Sequence, residues 1–167
     1  LTREIARRFN NFYGNVMVEP QALLTKSARV PGLDKRKMSK SYGNSILIAE
    51  TEDEIVKKVK TMFTDPLRIK ATDAGHPEGC VVFAFHEIFN NNSEKRKHEC
   101  MQGCIGCAAC KRELTAMICE FTKPMMQRRQ DILSDKTAVE NVLKNGCIKA
   151  REAAVQTMKE IRKAIKL

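Results

Sequence analysis

Pro31-Gly32-Leu33-Asp34-Lys35-Arg36-Lys37-Met38-Ser39-Lys40-Ser41 is the stretch on which the reading of this chain turns. Four basic side chains (Lys35, Arg36, Lys37, Lys40) and two hydroxyls (Ser39, Ser41) fall within seven residues. Lysine is a compact point charge on a flexible stem, suited to meeting phosphate oxygens. Two lysines three apart, with hydroxyls between and beside them, can follow a triphosphate as it reacts. If attack occurs at the α-phosphate, negative charge grows on the departing pyrophosphate. Cations placed there stabilise the transition state more than the ground state. No Gly-x4-Gly-Lys-Ser/Thr precedes the stretch, so it is not a Walker A loop. A generic basic run is more often a solvated turn; the order Lys-Met-Ser-Lys-Ser favours a polyphosphate loop. Pro31-Gly32 reads as a turn pair, Pro fixing the first central φ and Gly permitting a positive second one.

Residues 20–45 show little periodicity and read as a loop around a short strand near Leu23–Leu24 or Arg29–Val30. Upstream, Leu1, Ile5, Phe9 and Phe12 repeat at helical spacing, with Gly14 as a C-cap. Val16-Met17-Val18 is a short strand candidate ended by Pro20. Downstream, Thr51 to Glu54 has capping-box spacing before Ile55, Val59, Met62 and Phe63, and Asp65-Pro66 ends that helix. Val81–Phe89 predicts a further helix, and Ser93 a cap for the next. A long helical stretch runs from about Lys111 to Leu133, kinked or split at Pro124. In the last helix Val139, Val142, Leu143, Cys147, Ala150, Ala154, Met158, Ile161 and Ile165 step by three or four, weakened locally at Gly146. The expected fold is mostly α, with a boundary near residues 45–50.

The net charge is +10, with 30 Lys and Arg against 20 Asp and Glu, which favours an anionic partner, nucleic acid first. No stretch approaches the roughly 18 apolar residues of a membrane span. The chain starts at Leu1 inside an amphipathic pattern, without an initiator Met, which predicts a fragment lacking its upstream part.

Seven cysteines are present, four of them between Cys100 and Cys110. An odd count, no secretion signal and Cys-x-x-Cys spacing favour a reducing cytosol and a metal site over a disulfide scaffold. Cys104-x2-Cys107-x2-Cys110, with Gly103 and Gly106 allowing tight turns, suits a cluster of iron and sulfide. Four thiolates also suffice for tetrahedral Zn2+. Spacing alone points to Cys104, Cys107 and Cys110 with Cys80 or Cys100 as fourth. Cys119 and Cys147 fit apolar helix faces, and His86 and His98 read as ordinary helix-surface residues.

Lys37-Met38-Ser39-Lys40-Ser41 resembles the signature loop of class I aminoacyl-tRNA synthetases. Pro31-Gly32-Leu33-Asp34, Ser41-Tyr42-Gly43-Asn44, Met62-Phe63-Thr64-Asp65-Pro66, Gly146-Cys147-x-x-Ala150 and the opening Leu1–Asn10 are similar to the bacterial-type tryptophanyl family. Lys35 departs, standing where a small residue is common. The resemblance implies the C-terminal end of a Rossmann-like α/β catalytic domain (1–47) followed by a helical anticodon-binding domain (48–167). It implies activation of tryptophan with ATP and Mg2+ and transfer to tRNA(Trp). Lys37 and Lys40 would be catalytic. Val30, Lys37, Met38, Ser39, Lys40 and Ser41 would bind ATP. A subset of the family carries a 4Fe–4S cluster, and its pattern maps onto Cys80, Cys100, Cys107 and Cys110, leaving Cys104 as substitute. The family is cytoplasmic and dimeric, with the His-Ile-Gly-His-type signature and the tryptophan pocket outside these residues, so this fragment alone would be inactive. The basic residues Lys95, Arg96, Lys97, Lys111 and Arg112, flanking the cysteines, are expected to face tRNA, where single-stranded bases are read by edges and stacking. The alternatives are a tyrosyl-type ligase, or an iron–sulfur nucleic-acid-binding module without ligase activity.

Overall fold

Helices dominate the computed structural model, which describes residues 1–25, 27 and 29–167. They are α1 (Thr2–Tyr13), α2 (Glu52–Thr61), α3 (Val81–Phe89), α4 (Ser93–Met101), α5 (Cys107–Ser134) and α6 (Lys136–Ala164), with one 3-10 turn at Lys40–Tyr42. The chain divides into two compact units: Leu1–Thr25 with Ile132–Leu167, and Lys26–Asp131.

The Lys26–Asp131 unit is built around Leu33, Ile55, Val59, Met62, Val81, Val82, Phe85, Leu114 and Ile118. Its core therefore runs through the region near 45–50 where a boundary was expected, joining Leu33 to α2, α3 and α5. The Thr51 side chain accepts from the Glu54 N–H while Glu54 accepts from the Thr51 N–H, the reciprocal box that starts α2. Acids fill its first turn and lysines its last, in the sense the helix dipole favours. The helix stops at Thr61, earlier than periodicity implies, because the Phe63 N–H leaves the helical ladder and donates to the Leu33 carbonyl at 2.8 Å. Met62 is buried beside that exit. The helix α3 buries Val81, Val82, Phe83, Phe85 and His86. Nearly all its circumference is covered, so His86 is fully buried rather than on the surface. Asn92, not Ser93, holds the N-cap position of α4. Lys58 ties α2 to the preceding segment, donating to the Ser45 carbonyl at 2.6 Å and pairing with the buried Glu50 carboxylate.

In the other unit α1 ends at Gly14, whose φ of 88° needs no Cβ. No strand forms at Val16–Val18. The Asn10 amide meets that backbone instead, its Oδ1 accepting from the Val16 and Met17 N–H groups and its Nδ2 donating to the Met17 carbonyl. Among the described residues the one β-bridge joins Pro31 to Lys37. The strand expected near Leu23–Leu24 or Arg29–Val30 does not form among the described residues, part of that loop lying outside them. In α5, helix continues through Pro124. In α6, the apolar stripe Val139, Val142, Leu143, Ile148, Val155 and Met158 is exposed. No helix is long and apolar enough to cross a membrane among the described residues.

Candidate functional site

The basic loop is a closed hairpin-like turn pinned from inside by Asn44. Its stems meet where the Gly32 N–H donates to the Arg36 carbonyl (2.8 Å) and the Leu33 N–H to the Asn44 carbonyl (2.8 Å). The turn is made at Leu33–Asp34, with Lys35 N–H donating to the Gly32 carbonyl at 3.0 Å. Positive φ falls on Lys35 (72°) and not on Gly32, contrary to the turn expected at Pro31-Gly32. Gly32 is required for a different reason: a Cβ there would overlap the Asn44 side chain. Asn44 is buried, and its amide uses both ends. Oδ1 accepts from the Ser39 N–H at 2.8 Å, while Nδ2 donates to Asp34 Oδ1 at 2.7 Å and to the Lys37 carbonyl at 3.2 Å. That hydrogen bond from Asn44, with further ones from Arg36, holds the Asp34 carboxyl below the usual carboxylate range against a smaller opposing effect of burial.

The four cations of the loop have different roles. Arg36 pairs with Asp34 at 2.6 Å and lies over the Tyr42 ring, 4.9 Å from its centroid. Lys35 lies over the Phe63 ring at 5.6 Å. Lys37 and Lys40 are exposed, and no carboxylate among the described residues pairs with either. Ser39 and Ser41 share a hydroxyl–hydroxyl hydrogen bond at 2.8 Å. Lys40 opens the 3-10 turn, closed by Gly43 with φ 63°. Met38 and Val30 pack against the core, so any contact they make with a nucleotide falls to their backbone. The arrangement leaves two free ammonium groups on a braced backbone, which is what an incoming polyphosphate requires.

A second site lies in the same unit. Cys80, Cys100, Cys107 and Cys110 line one cavity with Thr64, Arg68, Val82, Phe83, Arg96 and Ile105. These are the four positions of the family pattern, brought together from the N-cap of α3, from α4 and from the first turn of α5. Cys104 is exposed and its thiol turns to the Gln102 carbonyl at 3.8 Å. The segment before Cys80 is laid tightly on the others. The Gly75 N–H donates to the Cys100 carbonyl at 2.9 Å, and a Cβ at Gly75 would stand 2.6 Å from Cys100 Sγ. Gly103 has φ 67° and lies so close to the Thr72 carbonyl that a Cβ would overlap it. Gly106, expected to serve likewise, has no positive φ.

The chemistry of the cavity walls is specific. Burial pushes the Cys110 thiol up to about 12 and raises Cys100 as well, the nearby Arg96 and Arg68 respectively opposing this. Thiolates are therefore unfavourable there without a further positive charge. The Nε atoms of Arg68 and Arg96 are buried and have no hydrogen-bond acceptor. Arg68 points Nη1 at Cys100 Sγ at 3.8 Å. Two orphaned N–H donors beside four sulfurs fit an anionic, sulfur-rich group, whose sulfurs would accept from them. No three His, Cys, Asp or Glu side chains converge closely enough to hold a single ion among the described residues. His86 was not expected here. Its Nδ1 accepts from Asn90 Nδ2 at 3.2 Å, leaving Nε2–H to donate toward the Cys110 carbonyl (3.2 Å) and Sγ (3.3 Å). Burial lowers its pKa.

Residues 1–123 match the sequence profile of the family described as tRNA synthetases class I (W and Y). The chain belongs to that family. It is 45% identical over 170 aligned positions to the tryptophan–tRNA ligase of Aquifex aeolicus, covering 100% of this chain and 43% of that protein. It is 41% identical to the tryptophan–tRNA ligase of Thermotoga maritima, covering 100% of this chain and 52% of the relative. The crystal structure of tryptophanyl-tRNA synthetase from Campylobacter jejuni complexed with ADP and tryptophan superposes with a TM-score of 0.74 at 27% identity, covering 99% of this chain and 52% of that one. The chain thus spans about half the length of these relatives.

Within this synthetase frame the five basic residues expected on one surface are dispersed. Arg96 is largely buried, pairing with Glu99 at 2.9 Å and with Glu113. Lys111 turns inward, donating to the Lys60 and Met62 carbonyls at 2.8 Å each, and burial lowers its pKa. Lys111 and Arg112 line a groove with Lys60, Val56, Cys107 and Ala108. Lys97 lines another, with Lys35, Gly79 and Cys80. Lys95 is exposed on α4, near Glu99 at 3.8 Å.

Proposed function

We propose that the chain is the C-terminal part of a tryptophan–tRNA ligase, with residues 1–47 closing a Rossmann-like catalytic domain, residues 48–167 forming a helical anticodon-binding domain, and the core around Leu33 and Ile55 packing the two across that junction. The full protein would activate tryptophan with Mg2+ and ATP, transfer it to tRNA(Trp), and act as a cytoplasmic homodimer. The observation that carries this is the Asn44-braced loop that leaves Lys37 and Lys40 unpaired. At the loop, Lys37 would meet the phosphates in the ground state. Lys40, at the mouth of the 3-10 turn, would receive the charge that grows on the departing pyrophosphate. Ser39 and Ser41 would donate to the same oxygens, and the backbone at Val30 and Met38 would border the nucleotide. Relatives bearing the name tryptophan–tRNA ligase favour tryptophan over tyrosine. Tryptophan-dependent ATP–pyrophosphate exchange by the full-length protein tests this. Lys40→Ala is expected to lower kcat by about 10²- to 10³-fold; exchange driven by tyrosine, or none, would overturn the reading.

Cys80, Cys100, Cys107 and Cys110 would hold a 4Fe–4S cluster, which supplies local cross-linking of loops and an anionic centre for Arg68 and Arg96. Four thiols lining one cavity beside the two unpartnered arginine N–H groups support a cluster over Zn2+. Iron and sulfide analysis of anaerobically purified protein checks it. Loss of metal in Cys100→Ser and retention in Cys104→Ser is expected; zinc without sulfide would count against the cluster. Arg112, with Lys60 beside it, the exposed Lys95 and the half-buried Lys97 are the cations left to meet tRNA. Their removal should weaken tRNA binding most at low salt.

A further inference from the structure

Cys80 and the phosphate loop are joined by an unbroken series of backbone hydrogen bonds. The residue after Cys80 is Val81, whose N–H donates to the Phe63 carbonyl at 3.2 Å. The Phe63 N–H donates to the Leu33 carbonyl at 2.8 Å. The Leu33 N–H donates to the Asn44 carbonyl at 2.8 Å, and the Asn44 side chain holds the Ser39 N–H. Leu33, Met62 and Val81 also share one core, against which Met38 and Cys80 both pack.

Lys35 runs parallel to this backbone route. Its ammonium lies over the Phe63 ring at 5.6 Å and stands 3.0 Å from where a Cβ on Gly79 would be. The turn at Lys35 is held in the left-handed region, φ 72°, where an L-residue with a side chain is strained. A strained turn persists only where its surroundings fix it. The ring of Phe63 is only partly covered, and the Lys35 ammonium lies over one face of it.

We propose that occupancy of the four-cysteine site positions the Lys37–Ser41 loop, and that Phe63 and Lys35 are the positioning residues that connect them. The proposal rests on the reading of that site as metal-bearing. With the site filled, Cys80 is fixed by a covalent bond, and Gly79 and Val81 are fixed with it. Phe63 then has one position, and Leu33, Lys35 and Asn44 are registered against it. With the site empty, the 64–80 segment loses the bond to Cys80, and the loop relaxes. The two-state element that such coupling requires is the Gly79–Val81 segment, tethered or free.

The experiment is hydrogen exchange followed by mass spectrometry on the purified protein, anaerobically reconstituted with iron and sulfide or stripped by chelator. Metal content is measured first in every sample. Exchange across residues 33–44 is expected to quicken by about tenfold on stripping. In Phe63→Ala and Lys35→Ala the metal content should stay as in the parent, while this metal-dependent difference shrinks to less than about half. Phe63→Tyr, which keeps the aromatic face under the Lys35 ammonium, should restore most of it. Loop exchange that is indifferent to metal in the parent protein overturns the coupling alone. So does a metal response undiminished in both variants. Failure to take up metal at all overturns the site reading and the coupling together.

Discussion

Lys35 is an uncommon occupant of its backbone position. With φ at 72° it lies where the Cβ of an L-residue costs about 1–2 kcal/mol. Lys35→Gly and Lys35→Ala both delete the cation over Phe63 but differ in that strain. The Gly variant should therefore unfold at higher denaturant than the Ala variant, by about 1 kcal/mol. Asn44 carries a different burden, since its amide meets two backbone groups and the Asp34 carboxylate at once. Asp34 is held low first by Asn44, so its ionised form is the folded-state form. The stability it lends is present above the unfolded pKa and lost as pH falls through the lower folded one, below about pH 4. In Asn44→Ala the Asp34 titration, followed by NMR, should move up toward the ordinary carboxylate value, and the Ser39 amide should lose protection. At this scale Lys37 and Lys40 are legible from residue type and order. Asn44 is not: its role comes from a close approach to Gly32, and no spacing rule announces that.

Among the elements, α2 begins on a device that can be tested alone. Thr51→Ala removes the acceptor for the Glu54 N–H, and about 1 kcal/mol of stability should go with it in chemical denaturation. Glu54 is held low by the Thr51 N–H and hydroxyl. The difference between parent and Thr51→Ala should therefore persist at neutral pH and narrow in acid, as Glu54 protonates. This helix was readable because a capping box is local chemistry. Val16–Val18 reads as strand on composition alone, yet a strand needs a neighbour, and the Asn10 side chain occupies its backbone. The end of α2 was misplaced for a comparable reason. Phe63 bonds to Leu33, thirty residues earlier, and helical periodicity holds no record of that partner. His86 was misassigned because a helix covered nearly all round shows no polar face to mark the exception.

At the scale of the molecule, the thiol cavity belongs to the Lys26–Asp131 unit and the long helix α6 to the other. Metal removal should thus lower the midpoint of one thermal transition and leave the second unmoved, as scanning calorimetry of loaded and chelator-treated protein would display. The loops around the cavity are joined by close glycine contacts with little apolar cover of their own, so the proposed cluster would contribute folding free energy locally. The family pattern names the four cysteines that line one cavity, whereas spacing alone preferred Cys104. What separates them is the approach of the 64–80 segment, which turns Cys80 and Cys100 inward and leaves Cys104 outside.

The division of the chain also bears on how it is made. The first 25 residues share a compact unit with residues 132–167, while everything between them forms the other. A ribosome adding roughly 5–20 residues per second delivers the companions of α1 only after the intervening unit has emerged. During those seconds the unit bearing the loop and the cysteines is free to fold ahead of the other. Anything that slows folding of the Lys26–Asp131 unit would prolong the interval in which α1 waits for residues 132–167.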